Sequence, residues 1–204
     1  TKASKRLIFD LHRVCWKTPE EISKRVSSGS LSSIHDLIHS VAVELHGQPY
    51  WRYRRNFSGG LQEYVEAVSY LHFLTTGTLL SFEQANKNLT DHFAKKQENA
   101  PPKLTFTINI EDYLLGITDL TGEMMRMCIN GTTKGHFDEC KKIKEFLQRV
   151  YFGFFALPDT HEKEMKKKMS VMLSSVKKTE KACLDIVLKR AEFPDITGFA
   201  VDTN

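Results

Sequence analysis

Apolar residues recur at three- and four-residue steps along almost the whole chain, and that rhythm restricts the fold to packed helices. Leu7, Ile8, Leu11 and Val14 make one stripe between about Ser4 and Trp16, and Ile34, Leu37, Ile38, Val41 and Leu45 make another that ends near His46. Leu61 to Leu74 and Tyr113 to Asn130 are apolar nearly all round, which predicts two helices buried on most sides. Phe137 to Phe155 reads as a further helix. The last long one, about Asp159 to Arg190, carries Met165, Met169, Met172, Val176, Cys183 and Ile186, with Thr179 interrupting the stripe.

Local signals agree with this reading. Thr18-Pro19-Glu20-Glu21 combines a threonine cap, a proline in the first turn and a glutamate three residues past the cap, and Ser81-Phe82-Glu83-Gln84 fits a second capping box. Gly29 and Asn130-Gly131 read as helix breaks. Leu104 to Ile110 alternates as a strand would, but no partner strand is evident. The expected fold is all-α: a single-domain bundle of about seven helices spanning residues 1–204. The polar loop Lys95–Lys103, with Pro101-Pro102, is not a domain boundary in this reading, because neither half could cover its most apolar helix alone.

Composition bounds the function. With 41% hydrophobic and 26% charged residues over 204 positions, the chain is globular rather than disordered. A net charge of +4 is too mild to identify a nucleic-acid partner by itself. Cys15, Cys128, Cys140 and Cys183 are far apart in sequence and lack zinc-type spacing, so they read as structural thiols of a reducing compartment. No leader pattern opens the sequence and no run of about 18 apolar residues occurs, which predicts a soluble protein without a membrane partner, cytoplasmic with the nucleus a second location. His72, on an apolar stretch, reads as a structural histidine. No serine–histidine–aspartate or cysteine–histidine arrangement and no phosphate-binding glycine loop stands out.

The informative departures from a bland core are acidic. Glu63 and Glu66 stand three residues apart in one apolar helix, and Asp119 and Glu123 four apart in the other, so each pair projects from one side. Carboxylates crowded into apolar surroundings raise one another's pKa, and the strain is relieved by water, by a basic partner such as Arg126 or a lysine, or by a divalent cation. Mg²⁺ or Mn²⁺ suits a set of oxygen ligands without histidine or cysteine, and such a metal can activate water and neutralise a phosphodiester. Trp51-Arg52-Tyr53-Arg54-Arg55 offers stacking surfaces beside cations, which suits single-stranded or frayed RNA. It equally suits a helix end whose aromatics pack while its arginines reach for solvent. Lys163 and Lys166-Lys167-Lys168 read as a solvated face, and the methionine stripe as core or subunit contact.

Gly60-Leu61-Gln62-Glu63-Tyr64-Val65-Glu66-Ala67-Val68-Ser69, Asp112-Tyr113-Leu114-Leu115-Gly116, and Asp119-Leu120-Thr121-Gly122-Glu123 running on to Asn130 resemble the translin family, on its translin-associated factor X branch. Ser4-Lys5-Arg6, Leu11-His12-Arg13, Phe146-Leu147 and Val150-Tyr151 are similar in order and spacing, so the likeness covers essentially the whole chain. It implies a translin-like helical domain that assembles with translin into a barrel-shaped hetero-octamer. It also implies a Mg²⁺-dependent endoribonuclease, with Mn²⁺ a substitute, that cleaves short single-stranded or nicked double-stranded RNA for the RNA-silencing machinery. By the same resemblance Glu63, Glu66 and Asp119 are catalytic, these three with Glu123 are metal ligands, and Trp51, Arg52, Arg54 and Arg55 are candidates for RNA contact. The rival expectation is a non-catalytic scaffold or nucleic-acid-binding partner of translin. Two stretches depart from the family pattern, Lys95–Lys103 and Thr132–Phe137, and both are expected to be surface loops.

Overall fold

The computed structural model describes residues 1–26, 29–96, 106–158 and 163–192. Among the described residues there are eight helices and no strand: α1 (Lys2–His12), α2 (Pro19–Val26), α3 (Ser30–Glu44), α4 (Tyr50–Thr76), α5 (Phe82–Lys96), α6 (Ile110–Lys134), α7 (Phe137–Phe155) and α8 (Lys163–Glu192). The all-α expectation therefore holds. The chain forms two compact units, Thr1–Ile117 and Thr118–Asn204, with α6 running through both.

The first unit is organised around α4. Helices α1 and α2 pack on it, α1 also meets α3, and α3 meets α5. Leu7, Leu11, Ile22, Tyr64, Leu89 and Leu115 are among the residues that fill this core with almost no exposure. The predicted caps are in place. The Thr18 backbone N–H donates to Glu21 at 3.1 Å, with the Glu21 N–H returning to Thr18 Oγ1 at 3.4 Å. Ser81 and Gln84 reciprocate in the same way at 2.9 and 3.2 Å. His72 is partnered, its Nε2 lying 3.1 Å from Thr78 Oγ1. The second unit packs α7 on α8, with Leu120, Met124, Cys140, Ile143, Leu147 and Met172 inside.

Two local expectations change. The basic-aromatic stretch at Tyr50 is not a separate segment but the first turns of α4, which continues through Gly59-Gly60 for 27 residues. Two glycines cost a helix about 2 kcal/mol of propensity, a penalty that the packing of Leu61, Tyr64, Val65 and Val68 outweighs. Asn130-Gly131 does not end α6 either, and Thr132 to Lys134 are helical rather than loop. The helix stops at Gly135, whose φ of 83° is the left-handed conformation that glycine adopts without strain. The alternating stretch forms no strand where it is described, in keeping with the all-α reading: Phe106 to Asn109 is irregular, and the Ile108 N–H and carbonyl are both satisfied by the side chain of Asn86, at 2.7 and 3.4 Å. Most of the Lys95–Lys103 loop, the start of the alternating stretch at Leu104 and the first residues expected in α8, from Asp159, lie outside the described residues.

Candidate functional site

The two helices that carry the predicted acids touch backbone to side chain within the first unit. A Cβ placed on Gly116 of α6 would sit 2.7 Å from the Gln62 carbonyl oxygen and 2.7 Å from Val65 Cβ, both on α4. Gly116 lies one helical turn before Asp119, and Gln62 and Val65 flank Glu63 and Glu66. The absence of a side chain at Gly116 is what allows the approach.

One turn earlier, the start of α6 is locked to α4 by a fully buried carboxylate. Asp112 has no exposure. It accepts hydrogen bonds from Arg54 Nη2 (3.0 Å), the Ser58 hydroxyl (2.5 Å), Gln62 Nε2 (3.3 Å) and Asn109 Nδ2 (2.8 Å). Asn109 also caps the helix, taking the Asp112 N–H on its Oδ1 at 2.7 Å. Arg54 completes the network with an ion pair to Glu111 at 2.7 Å. A buried anion surrounded by donors on every side is the arrangement of a structural group.

The four predicted acids look different. Glu63, with its side chain 20% exposed, lies 3.3 Å from Lys5 Nζ. Its Oε2 is buried without a hydrogen-bond donor, 4.0 Å from the Thr1 amine. Glu66 is half-buried on the same helix. In the second unit Asp119, 37% exposed, accepts from Lys168 Nζ at 2.6 Å, and Glu123, 15% exposed, pairs with Arg126 at 3.3 Å. Glu63, Asp119 and Glu123 each therefore meet a cation yet keep part of the carboxylate side chain exposed. Among the described residues no three or more histidine, cysteine, aspartate or glutamate side chains converge in a ready-made metal site.

The basic-aromatic stretch divides. Trp51 is 71% exposed, and Arg52 and Arg55 are exposed beside it. Arg54 lies with its guanidinium carbon 5.7 Å from the centroid of the Trp51 ring and pairs with Asp112 and Glu111, so its primary role is to hold α4 against α6. Tyr50 also turns inward, meeting Phe57 edge-on and Phe106 at a tilt while its hydroxyl accepts from Asn109. Sequence reading missed Asp112 and Arg54 as partners and missed the convergence of Cys128, Cys140 and Cys183 in the second unit. The only signal was that each occupies an inward position of an amphipathic helix, which does not say what it faces.

The sequence of this all-helical chain matches the Translin family over residues 1–190. The chain belongs to that family. It is 38% identical to Translin-associated protein X of Rattus norvegicus, over 95% of this chain and 71% of the relative. It is 30% identical to the Translin-associated protein X homolog of Schizosaccharomyces pombe, over 94% of this chain and 78% of the relative. The fold is also that of the crystal structure of apo-NeC3PO, with a TM-score of 0.67 at 21% identity, over 90% of this chain and 81% of that one.

Proposed function

We propose that this chain is the acid-bearing subunit of a divalent-metal-dependent endoribonuclease that works on short RNA in a hetero-oligomer with translin. The observation that carries the reading is the contrast between two kinds of carboxylate. Asp112 is sealed among donors, whereas Glu63, Asp119 and Glu123 are 15 to 37% exposed and balanced by cations. A folded protein gains little from half-buried acids on its most apolar helices, so their presence there favours a ligand role.

The donors fit Mg²⁺ or Mn²⁺ in kind: all are carboxylate oxygens, and Glu63 Oε2 lacks any hydrogen-bond donor. Such a metal, when bound, neutralises phosphodiester charge and lowers the pKa of water. Glu63, Glu66, Asp119 and Glu123 would hold it, and Lys5, Lys168 and Arg126 would yield part of their hold on the acids as it enters. Trp51 presents a stacking face for an unpaired base, and Arg52 and Arg55 present charge to phosphates. Assembly into a closed barrel with translin would set which RNA ends reach the acids, and short strands such as those handled in RNA silencing are the substrates that this arrangement suits.

Glu66→Gln and Asp119→Asn are expected to remove Mg²⁺-dependent cleavage of a short RNA while leaving RNA binding and translin association intact. If both variants cut at the normal rate in the complex, the assignment is wrong. The cation pairing of Glu63, Asp119 and Glu123 also favours a second reading, a non-catalytic scaffold in which these pairs are permanent. In that case the wild-type complex would show no Mg²⁺-dependent cleavage at all.

A further inference from the structure

Three of the four cysteines meet in the second unit, brought from α6, α7 and α8. Cys128 and Cys140 are buried without exposure, while Cys183 is half-buried and reaches towards solvent. The sulfurs of Cys128 and Cys183 lie 3.9 Å apart. A single acceptor holds them side by side, because both thiols donate to the Cys140 carbonyl oxygen, at 3.8 Å from Cys128 and 3.7 Å from Cys183. Cys140 directs its own thiol elsewhere, to the Cys128 carbonyl at 3.3 Å. Forming a bond of about 2.05 Å requires the two sulfurs to close by roughly 2 Å.

We propose that Cys128 and Cys183 form a reversible dithiol–disulfide site that joins α6 to α8, with a peroxide as oxidant and a small dithiol as reductant. Cys183, the thiol that solvent reaches, attacks the peroxide: an S–O bond forms, the O–O bond breaks, and water leaves a sulfenic acid. The Cys128 sulfur then attacks that sulfenic sulfur, an S–S bond forms, the S–O bond breaks and a second water departs. Two thiols and one peroxide thus become one disulfide and two waters. Burial raises the Cys183 pKa, and the hydrogen bond with Cys140 followed by burial raises that of Cys128, so the thiolate fraction that attacks is small and the link forms slowly. Oxidation would tie down the same helix, α6, that Lys168 of α8 already holds through Asp119. This inference is independent of the proposed ribonuclease activity.

The test is peptide mass mapping of the full chain after hydrogen peroxide treatment and alkylation of the remaining thiols, without reductant. The expected product is a Cys128–Cys183 linked peptide, lighter by about 2 Da than the sum of its parts and split by dithiothreitol. It should be accompanied by an upward shift in the thermal midpoint, since the link closes a 55-residue separation. Cys140→Ser should retain the link, and Cys128→Ser should lose it. Cys183→Ser, at a half-exposed position that tolerates the change, should lose it without loss of folding. A link through Cys140 instead, or Cys183 carried to sulfinic acid while Cys128 remains open to alkylation, would overturn the proposal.

Discussion

Replacing Gly116 by alanine tests the contact on which the two acid-bearing helices depend. The added methyl group would stand 2.7 Å from the Gln62 carbonyl oxygen and 2.7 and 2.8 Å from Val65 Cβ and Cγ1. Neither neighbour can swing aside, because one is main chain and the other is the branched root of a side chain. The helices must therefore part by somewhat under 1 Å, which loosens the dispersion contacts around the point of approach. Overpacking of this kind costs about 1–3 kcal/mol, and the rigid neighbours argue for the upper part of that range. Alanine recovers about 1 kcal/mol of helix propensity, so the net loss is about 1–2 kcal/mol. For a chain of this length that lowers the thermal midpoint by roughly 2–8 °C. Gly122 supplies the control on the same helix: a Cβ there meets nothing within 4 Å. Gly122→Ala should therefore gain up to about 1 kcal/mol. Two chemically identical substitutions six residues apart are thus expected to change stability in opposite directions. Urea titration of both variants measures the difference, and a Gly116→Ala protein at least as stable as wild type would refute the close-packing argument.

Arg54→Ala leaves the buried Asp112 without its cation and should destabilise by about 3 kcal/mol, read as a lower urea midpoint. Unaltered stability would mean that Arg54 is a surface cation after all. Trp51→Ala, Arg52→Ala and Arg55→Ala should each shift the midpoint by less than about 0.5 kcal/mol while weakening binding of short RNA several-fold, measured by fluorescence anisotropy. His35 is buried against Tyr64, with its Nε2 2.9 Å from the phenolic oxygen, and burial followed by repulsion from His92 lowers its pKa to about 4. The unfolded chain therefore binds this proton near pH 6.5 whereas the native one waits until about pH 4. Stability should be full above pH 6.5 and fall by about 3 kcal/mol as pH drops through that window. His35→Phe should flatten that part of the pH profile; a profile unchanged by the substitution would place the acid sensitivity elsewhere.

How far the fold and site can be read from sequence depends on the range over which each feature is decided. Helix starts at Thr18 and Ser81 are decided by residues three apart, and the capping bonds form as their side chains dictate. The continuity of α4 through Gly59-Gly60 is already harder, because local propensity argues for a break, which is overruled by burial from Leu61 onward and by the bonds of Arg54 and Ser58 to Asp112 before it. The roles of individual acids lie beyond local reading. Asp112 and Asp119 are seven residues apart on α6, so helical periodicity gives them nearly the same face and the same apolar company. What separates them is Arg54, 58 residues before Asp112, and Lys168, 49 residues after Asp119. The first arrives with Ser58, Gln62 and Asn109 and seals the carboxylate; the second leaves Asp119 37% exposed. The thiols obey the same logic, since Cys128 and Cys183 are 55 residues apart and only the packing of their helices brings them together. Periodicity thus selects which side chains turn inward, and long-range packing decides whether an inward acid becomes a sealed strut or a carboxylate still open to a ligand.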